Sequence, residues 1–280
     1  MIGIFDSGLG GLTVLRQLTA RFPDIAFTYL GDHANAPYGD RPAAEIVALT
    51  EAGVTFLFER GCRLVILGCN TATAIAARTL QREWLPSSRW REDHNLLGIV
   101  APTVEAATQT PWAVTEPIYP QKYNTDAIVV FGTTRTVTSG VYIDEIKKRC
   151  PRVEIVQVAC RGLVDAIENG AGEDSVDTIV AAACREALDR SPPEGPHHVI
   201  LGCTHFPLVS HVFERHLPAR ARILSQPGIV ADSLEDYLTR PPHYLSADES
   251  GLATLTTGDV DRVQRAARLY WPEIIAFERA

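Results

Sequence analysis

Lysine is almost missing from this chain. Of 280 residues only Lys122, Lys147 and Lys148 are lysine. Lys147 and Lys148 fall in a charged helical stretch and Lys122 in a proline-rich one. None suits the pocket lysine that a pyridoxal phosphate enzyme needs for its Schiff base, so no such cofactor is expected. Long apolar runs are also missing: none approaches the ~18 residues of a membrane helix, so no membrane partner is expected. The start, Met1-Ile-Gly-Ile-Phe5, has no basic region ahead of its apolar residues and reads as a first strand, not a secretory leader. The six cysteines, at 62, 69, 150, 160, 184 and 203, include no Cys-x-x-Cys pair. A chain of this length needs no covalent stapling, so reduced thiols in a cytoplasmic protein are expected. Positive charge is in deficit, with a net charge of −8, which argues against nucleic acid as a partner. It does not argue against an acidic substrate, because charge inside a pocket is independent of the overall sum.

What is present is an ordinary globular composition, 46% apolar and 21% charged. Short apolar runs alternate with longer helical stretches, the pattern of parallel sheets with crossover helices. Expected strands are Ile2–Phe5, Ala26–Leu30, Leu64–Leu67 and Leu97–Val100, then Ala127–Phe131, Val153–Val158, His198–Leu201 and Arg222–Leu224. Expected helices are Leu12–Arg21, Ala43–Arg60, Thr73–Trp84, Val141–Arg149, Val176–Asp189, Leu208–Arg215 and a closing Val260–Leu269. The two strand series share their order, and each third strand ends in Gly-Cys. An internal duplication into two pseudo-symmetric α/β domains follows. If the fourth strands cross to the other half, the first domain is discontinuous, 1–99 with 210–280, and the second is 100–209. Two excursions interrupt the pattern, Trp84–Asn95 and Pro111–Tyr123, and read as surface or disordered loops. The chain from Pro241 to the closing helix reads as irregular.

The same five residues occur twice, Val65-Ile-Leu-Gly-Cys69 and Val199-Ile-Leu-Gly-Cys203. Each places a thiol where a buried strand gives way to a helix. One such cysteine alone is more often a small apolar filler. The repetition, followed by Asn70-Thr71 in one copy and Thr204-His205 in the other, favours chemistry. A helix N-terminus and a nearby cation lower a thiol's pKa, and His205 stands two residues from Cys203. Asp6, at the end of the first strand, could orient Cys69 or accept its proton. Asp6-Ser7-Gly8-Leu9-Gly10-Gly11 fits a carboxylate-binding turn, or simply a strand–helix turn, and lacks the spacing of a dinucleotide fingerprint. Cys-x-His is a weak zinc signal without further ligands, so no metal is expected. A hydrolase nucleophile would need only one thiol and leaves Cys69 unexplained. Cys62, Cys150 and Cys184 read as structural. Two matched thiols suit a reaction that removes a proton from one face of a carbon and returns it to the other.

Five motifs in order carry a resemblance. They are Asp6-Ser7-Gly-x-Gly-Gly, Gly31-Asp32 with Pro37-Tyr38-Gly39, Cys69-Asn70-Thr71-Ala72, Gly132-Thr133-x-x-Thr136, and Leu201-Gly-Cys-Thr-His-Phe-Pro207. Together they resemble the glutamate racemases, a cofactor-independent family within the aspartate/glutamate racemase superfamily. The resemblance implies two α/β domains with the active site between them. It implies a two-base mechanism in which Cys69 deprotonates D-glutamate and Cys203 deprotonates L-glutamate. Asp6 would assist Cys69, and His205 would assist Cys203. Asn70, Thr71 and Thr204 would hold the α-carboxylate and amino group, with Ser7 nearby. Pro37, Tyr38 and Gly39 would bind the side-chain carboxylate, Thr133 and Thr136 would line the pocket, and Glu168 would stand near the substrate. It further implies a homodimer and a role in supplying D-glutamate for peptidoglycan in the cytoplasm. The chain departs from the family at Cys160-Arg161-Gly162 and at Ser225-Gln226-Pro227-Gly228. Rival readings are a racemase for aspartate, a superfamily decarboxylase or isomerase needing one essential thiol, and a binding protein that keeps the pocket without the reaction.

Overall fold

The computed structural model describes residues 1–114, 116–119, 127–240, 251–274 and 276–280. Lys122, Tyr123 and the stretch 241–250 lie outside the described residues, so the readings made for them are not addressed below. In chain order the strands are β1 (Ile2–Asp6), β2 (Phe27–Gly31), β3 (Leu64–Leu67), β4 (Asn95–Gly98), β5 (Ala127–Gly132), β6 (Glu154–Ala159), β7 (His198–Gly202), β8 (Arg222–Leu224), β9 (Leu252–Thr256) and β10 (Phe277–Arg279). They form two sheets, β10-β9-β2-β1-β3-β4 and β6-β5-β7-β8, in which every described ladder is parallel. The inner strands are apolar along their length because helices cover both faces of a parallel sheet. Thus β1, β3, β5 and β7 are buried at every residue.

The chain divides into two compact units, Met1–Ile99 with Val230–Ala280, and Val100–Ile229. Both contain the same strand order: second, first, third, fourth. The duplication read from the sequence therefore has a topological counterpart. The suggested crossing of the fourth strands does not. Asn95 of β4 pairs with Leu64 of β3, and Arg222 of β8 pairs with His198 of β7. Pairing of β8 with its own sheet keeps residues 210–229 in the second unit, so the chain returns at Val230 and not near 210.

Other differences have local causes. The strand expected at Leu97–Val100 runs from Asn95 to Gly98, since the backbone amide of Asn95 donates to the Arg63 carbonyl at 2.8 Å and its side-chain Nδ2 donates to the Tyr237 hydroxyl at 2.7 Å. Val100 instead opens a helix to Thr108 that sequence periodicity did not suggest. The expected helix Thr73–Trp84 begins at Asn70 and gives way to one π-turn over Leu80–Trp84. The excursion after Trp84 is neither disordered nor mere surface. Phe58 stacks on Trp84 with ring centroids 6.1 Å apart, and His94 meets both Phe58 and Trp90 edge-on at 4.6 Å. The stretch after Gly251 is also regular: β9 pairs with β2, and β10 with β9.

One contact couples a covering helix to the strand that carries Asp6. Gly53, in the helix Ala43–Glu59, lies against the Phe5 ring: a Cβ there would sit 2.1 Å from Phe5 Cε2 and 2.5 Å from Cδ2. Phe5 is fully buried, so the ring has little room to yield. Helix propensity alone would favour alanine at position 53 by about 1 kcal/mol. Overpacking of a buried ring costs about 1–3 kcal/mol and should win. Gly53→Ala is therefore expected to destabilise the protein, read as a lower urea midpoint with unchanged slope. A raised midpoint would mean that Phe5 moves freely.

Candidate active site

Strand order creates the site in each unit. The chain leaves β1 to one side for β2, then crosses to the other for β3, so a crevice opens beyond the carboxyl ends of β1 and β3. The residues there are Asp6 and Ser7 from the first and Cys69 from the second. Ser7 Oγ lies 3.3 Å from Cys69 Sγ. Cys69 caps the helix Asn70–Thr79, its sulfur accepting the Ala72 amide at 3.4 Å. A negative charge on this sulfur would meet the positive end of a helix. Asp6 Oδ1 accepts the Gly8 amide at 2.6 Å, and the Tyr29 hydroxyl donates to the Gly8 carbonyl at 2.6 Å. The turn is tight: a Cβ at Gly11 would sit 2.7 Å from Asp6 Cβ. Asn70 and Thr71 follow Cys69 into the helix and are buried.

Pro37, Tyr38 and Gly39 belong to the loop after β2. The Tyr38 ring is buried, 6.4 Å from Phe5 between centroids. Its hydroxyl donates to Asp32 Oδ2 at 2.6 Å. Burial, then the bond to Asp32 and the charge of that carboxylate, push the Tyr38 phenol well above its ordinary value. It acts as a neutral donor. Asp32 also accepts both oxygens' worth of contact from Asn35 Nδ2, at 3.0 and 3.1 Å, and the Thr257 hydroxyl at 2.7 Å.

The second unit repeats the plan with different chemistry. Beyond β5 stands Thr133, which caps the helix Thr134–Thr138 by accepting the Thr136 amide at 3.2 Å, with the two hydroxyls 3.1 Å apart. Beyond β7 stand Cys203, Thr204 and His205, all buried. Gly202 before the thiol lets the strands close up, since a Cβ there would be 3.0 Å from the Phe131 carbonyl. Cys203 Sγ lies 3.6 Å from His205 Nδ1, and His205 Nε2 lies 2.8 Å from Glu168 Oε1. Burial alone would lower the His205 pKa. Hydrogen bonds to Cys203 and Glu168, with the charge those partners carry when ionised, outweigh it and raise His205 to about 10. The cationic imidazole is thus the favoured form between a sulfur and a carboxylate.

The structure brings the expected residues together in two groups. Asp6, Ser7, Pro37, Tyr38, Gly39, Cys69, Asn70 and Thr71 are in the first unit; Thr133, Thr136, Glu168, Cys203, Thr204 and His205 are in the second. Glu168 directly bonds the histidine, a role that sequence proximity to substrate did not specify. Asp32 was visible at a strand end but without a function, because its partner Thr257 is 225 residues away. Gln226, noted only as a departure from the family, is fully buried and donates to Thr103 at 2.9 Å and Tyr142 at 3.1 Å. The remaining cysteines are buried. Burial raises the Cys184 thiol to about 12. Cys160 is raised well above its ordinary value by burial and by the neighbouring charges of Cys184, Cys203 and Glu186. Cys150 is raised by burial, with Arg149 opposing.

Comparison with known proteins bears on this geometry. The sequence is 44% identical over 281 residues to a glutamate racemase of Jannaschia sp., covering 99% of this chain and 98% of that protein. It is 43% identical to a glutamate racemase of Paracoccus denitrificans, covering 100% of this chain and 99% of that one. The fold matches the crystal structure of a glutamate racemase isoform from Bacillus anthracis with a TM-score of 0.85 at 26% identity, over 100% of this chain and 97% of the other. Residues 14–229, which include both strand-end thiols, match the Asp/Glu/Hydantoin racemase family, and to that family the chain belongs.

Proposed function

We propose that this protein interconverts L- and D-glutamate by moving the α-proton between two thiols. The observation that carries the reading is the pair Cys69 and Cys203, each at the end of the third strand of its unit and each with its own hydrogen-bonding partner. Full-length similarity to glutamate racemases supports glutamate as the substrate.

The chemistry balances without a redox step. The thiolate of one cysteine takes the α-proton, leaving the electron pair on the α-carbon. The thiol of the other cysteine returns a proton to the opposite face and becomes the thiolate. The α-proton of an amino acid is a very weak acid, so the carbanion needs fixed donors on the α-carboxylate in a site that excludes water. Asn70, Thr71 and Thr204, buried beside the two thiols in sequence, are suited to hold the carboxylate and amino group. The backbone of Tyr38 and Gly39 takes the side-chain carboxylate, with Ser7, Thr133 and Thr136 along the walls. His205 stabilises the Cys203 thiolate as an ion pair and takes its own orientation from Glu168. Asp6 orients the turn that brings Ser7 to Cys69. The same resemblance carries a homodimer and the supply of D-glutamate for peptidoglycan in the bacterial cytoplasm. Among the described residues no helix is long and apolar enough to cross a membrane.

Purified protein with D- or L-glutamate in deuterated water, and no added cofactor, should exchange the α-proton and lose optical rotation. Aspartate should react far more slowly. Exchange with neither enantiomer would end the reading. Cys69→Ser and Cys203→Ser should each lower racemisation by about 10²–10⁴-fold, the usual range for a lost proton-transfer group. Full turnover by either variant would remove the second base.

The His205 shift sets a pH limit. A pKa raised from 6.5 to about 10 means that the folded protein holds this proton more tightly than the unfolded chain. The associated stabilisation is fully present below about 6.5 and fades as pH rises through about 10. Activity that depends on the imidazolium should fall on the same alkaline limb. Glu168→Gln removes one of the charges that raise the pKa, so its limb should move to lower pH in a kcat/KM profile. An unmoved limb would show that His205 does not govern it.

A further inference from the structure

Thr257 lies just past the last rung of the β2–β9 ladder, where Gly31 pairs with Thr256. Sheet pairing therefore does not require its hydroxyl. That hydroxyl nevertheless has two partners, both in the loop after β2. It accepts the Ala34 amide at 3.0 Å and donates to Asp32 Oδ1 at 2.7 Å. Its own amide adds a third tie, to the Gly31 carbonyl at 3.2 Å. Asp32 in turn receives the Tyr38 hydroxyl on its other oxygen at 2.6 Å, while Asn35 Nδ2 spans both oxygens. The Asp32 amide is bonded to the Asp6 carbonyl at 2.9 Å, so the carboxylate hangs from the strand end that carries the catalytic turn. Tyr38 closes its own turn, its carbonyl accepting the Arg41 amide at 3.2 Å.

We infer that Thr257 is a positioning residue for substrate binding. Acting through Asp32, it pins the Tyr38 side chain and so fixes the backbone of Tyr38 and Gly39 where it meets the substrate's side-chain carboxylate. The inference rests on the reading of those residues given under Proposed function. The physics is that of a relay. Asp32 is 5% exposed and Tyr38 1%, so neither finds water if its partner leaves. A carboxylate with oxygens held by Thr257, Asn35 and Tyr38 has one orientation. Without Thr257, Oδ1 keeps only the Asn35 contact and the group is free to turn about its side-chain bonds. The Tyr38 hydroxyl must follow or lose its acceptor, and the loop backbone moves with it. The distal end of the chain, remote in sequence from every thiol, thereby sets the geometry at one end of the substrate. The relay's hydrogen bonds end on neither sulfur, although the Tyr38 phenol stands near enough to Cys69 and Asp6 to feel their charges.

The consequence is a defect in binding rather than in proton transfer. Thr257→Val keeps the shape and removes the hydroxyl. With glutamate its KM should rise about five- to tenfold while kcat stays within about twofold of the parent, since uniform binding is lost and transition-state chemistry is kept. Thr257→Ser keeps the hydroxyl and should restore the parent KM, which a role in packing the threonine methyl would not. Tyr38→Phe cuts the far end of the relay and should raise KM to a similar degree. The double variant, Thr257→Val with Tyr38→Phe, should be no worse than the poorer single one, because both act on one path. Parent-like KM in folded Thr257→Val would overturn the inference, as would a fall in kcat at unchanged KM or a fully additive double variant. If Thr257→Val does not fold, Tyr38→Phe and Thr257→Ser decide: raised KM in the first with parent-like KM in the second supports the relay, and any other pair of results overturns it. Absence of glutamate turnover in the parent protein would instead count against the proposed function itself.

Discussion

To act as the proposed base, a thiol at the carboxyl end of a buried strand has to be able to carry negative charge, and burial opposes this. Three of the six cysteines show the opposition directly. Cys150, Cys160 and Cys184 are all pushed up by burial, Cys184 to about 12. Such thiols stay protonated and serve as packing. Cys69 and Cys203 are as enclosed as these, at 6% and 5% exposure. They differ in their partners. Cys69 has the Ala72 amide, the start of a helix and the Ser7 hydroxyl; Cys203 has the His205 imidazole. Burial then becomes useful, since a paired charge interacts more strongly where water is scarce.

Parallel topology supplies the Ser7 partner of Cys69 at little cost in sequence. In both units the third strand is laid beside the first, on the side away from the second. The loops after the first and third strands therefore meet at one crevice, and a few polar residues in each suffice. Ser7 reaches Cys69 across 62 positions of chain because β1 and β3 are neighbours. Glycines before the thiols serve the same closeness, most clearly at Gly202, where a Cβ would press on the neighbouring carbonyl of Phe131. The buried strands, the covering helices and the contact of Phe5 with Gly53 hold β1 at the depth this arrangement needs.

Much of this was legible in the sequence, for physical reasons. Strands buried on both faces appear as continuous apolar runs, so β3 carries the expected bounds and the other strands of the two series differ by at most two residues, the edge strand β8 by none. The repeated Gly-Cys ending marks the candidate site in the sequence, because a reactive thiol there needs polar followers. Most of what escaped notice depends on contacts distant in sequence. The strand Leu252–Thr256 has ordinary composition and is made a strand by pairing with β2. The six-residue helix Leu163–Glu168 has too few turns to display a period, and Val100–Thr108 carries a proline at its third position. Glu168 meets His205 across 37 positions, and Thr257 meets Asp32 across 225. The excursion after Trp84 looked loose because its charges were visible and the ring stack on Phe58 was not.

The two thiols are placed alike but have different neighbours, which bears on the proposed reaction, whose two directions are chemical mirror images. The partners of Cys69 include a hydroxyl and an amide at a helix start. Those of Cys203 include a histidine that favours its cationic form, held in turn by Glu168. An imidazolium stabilises a thiolate by charge; a hydroxyl and an amide do so by dipole. The first is stronger and depends on pH, while the second is weaker and constant across the neutral range. Equality of L- and D-glutamate in free solution requires only that kcat/KM be the same in both directions. It places no such demand on the two bases, and a fold duplicated in topology is free to diverge at each strand end. The asymmetry is best understood as two solutions to one electrostatic problem, each built from whatever side chains the local loops could bring to the sulfur.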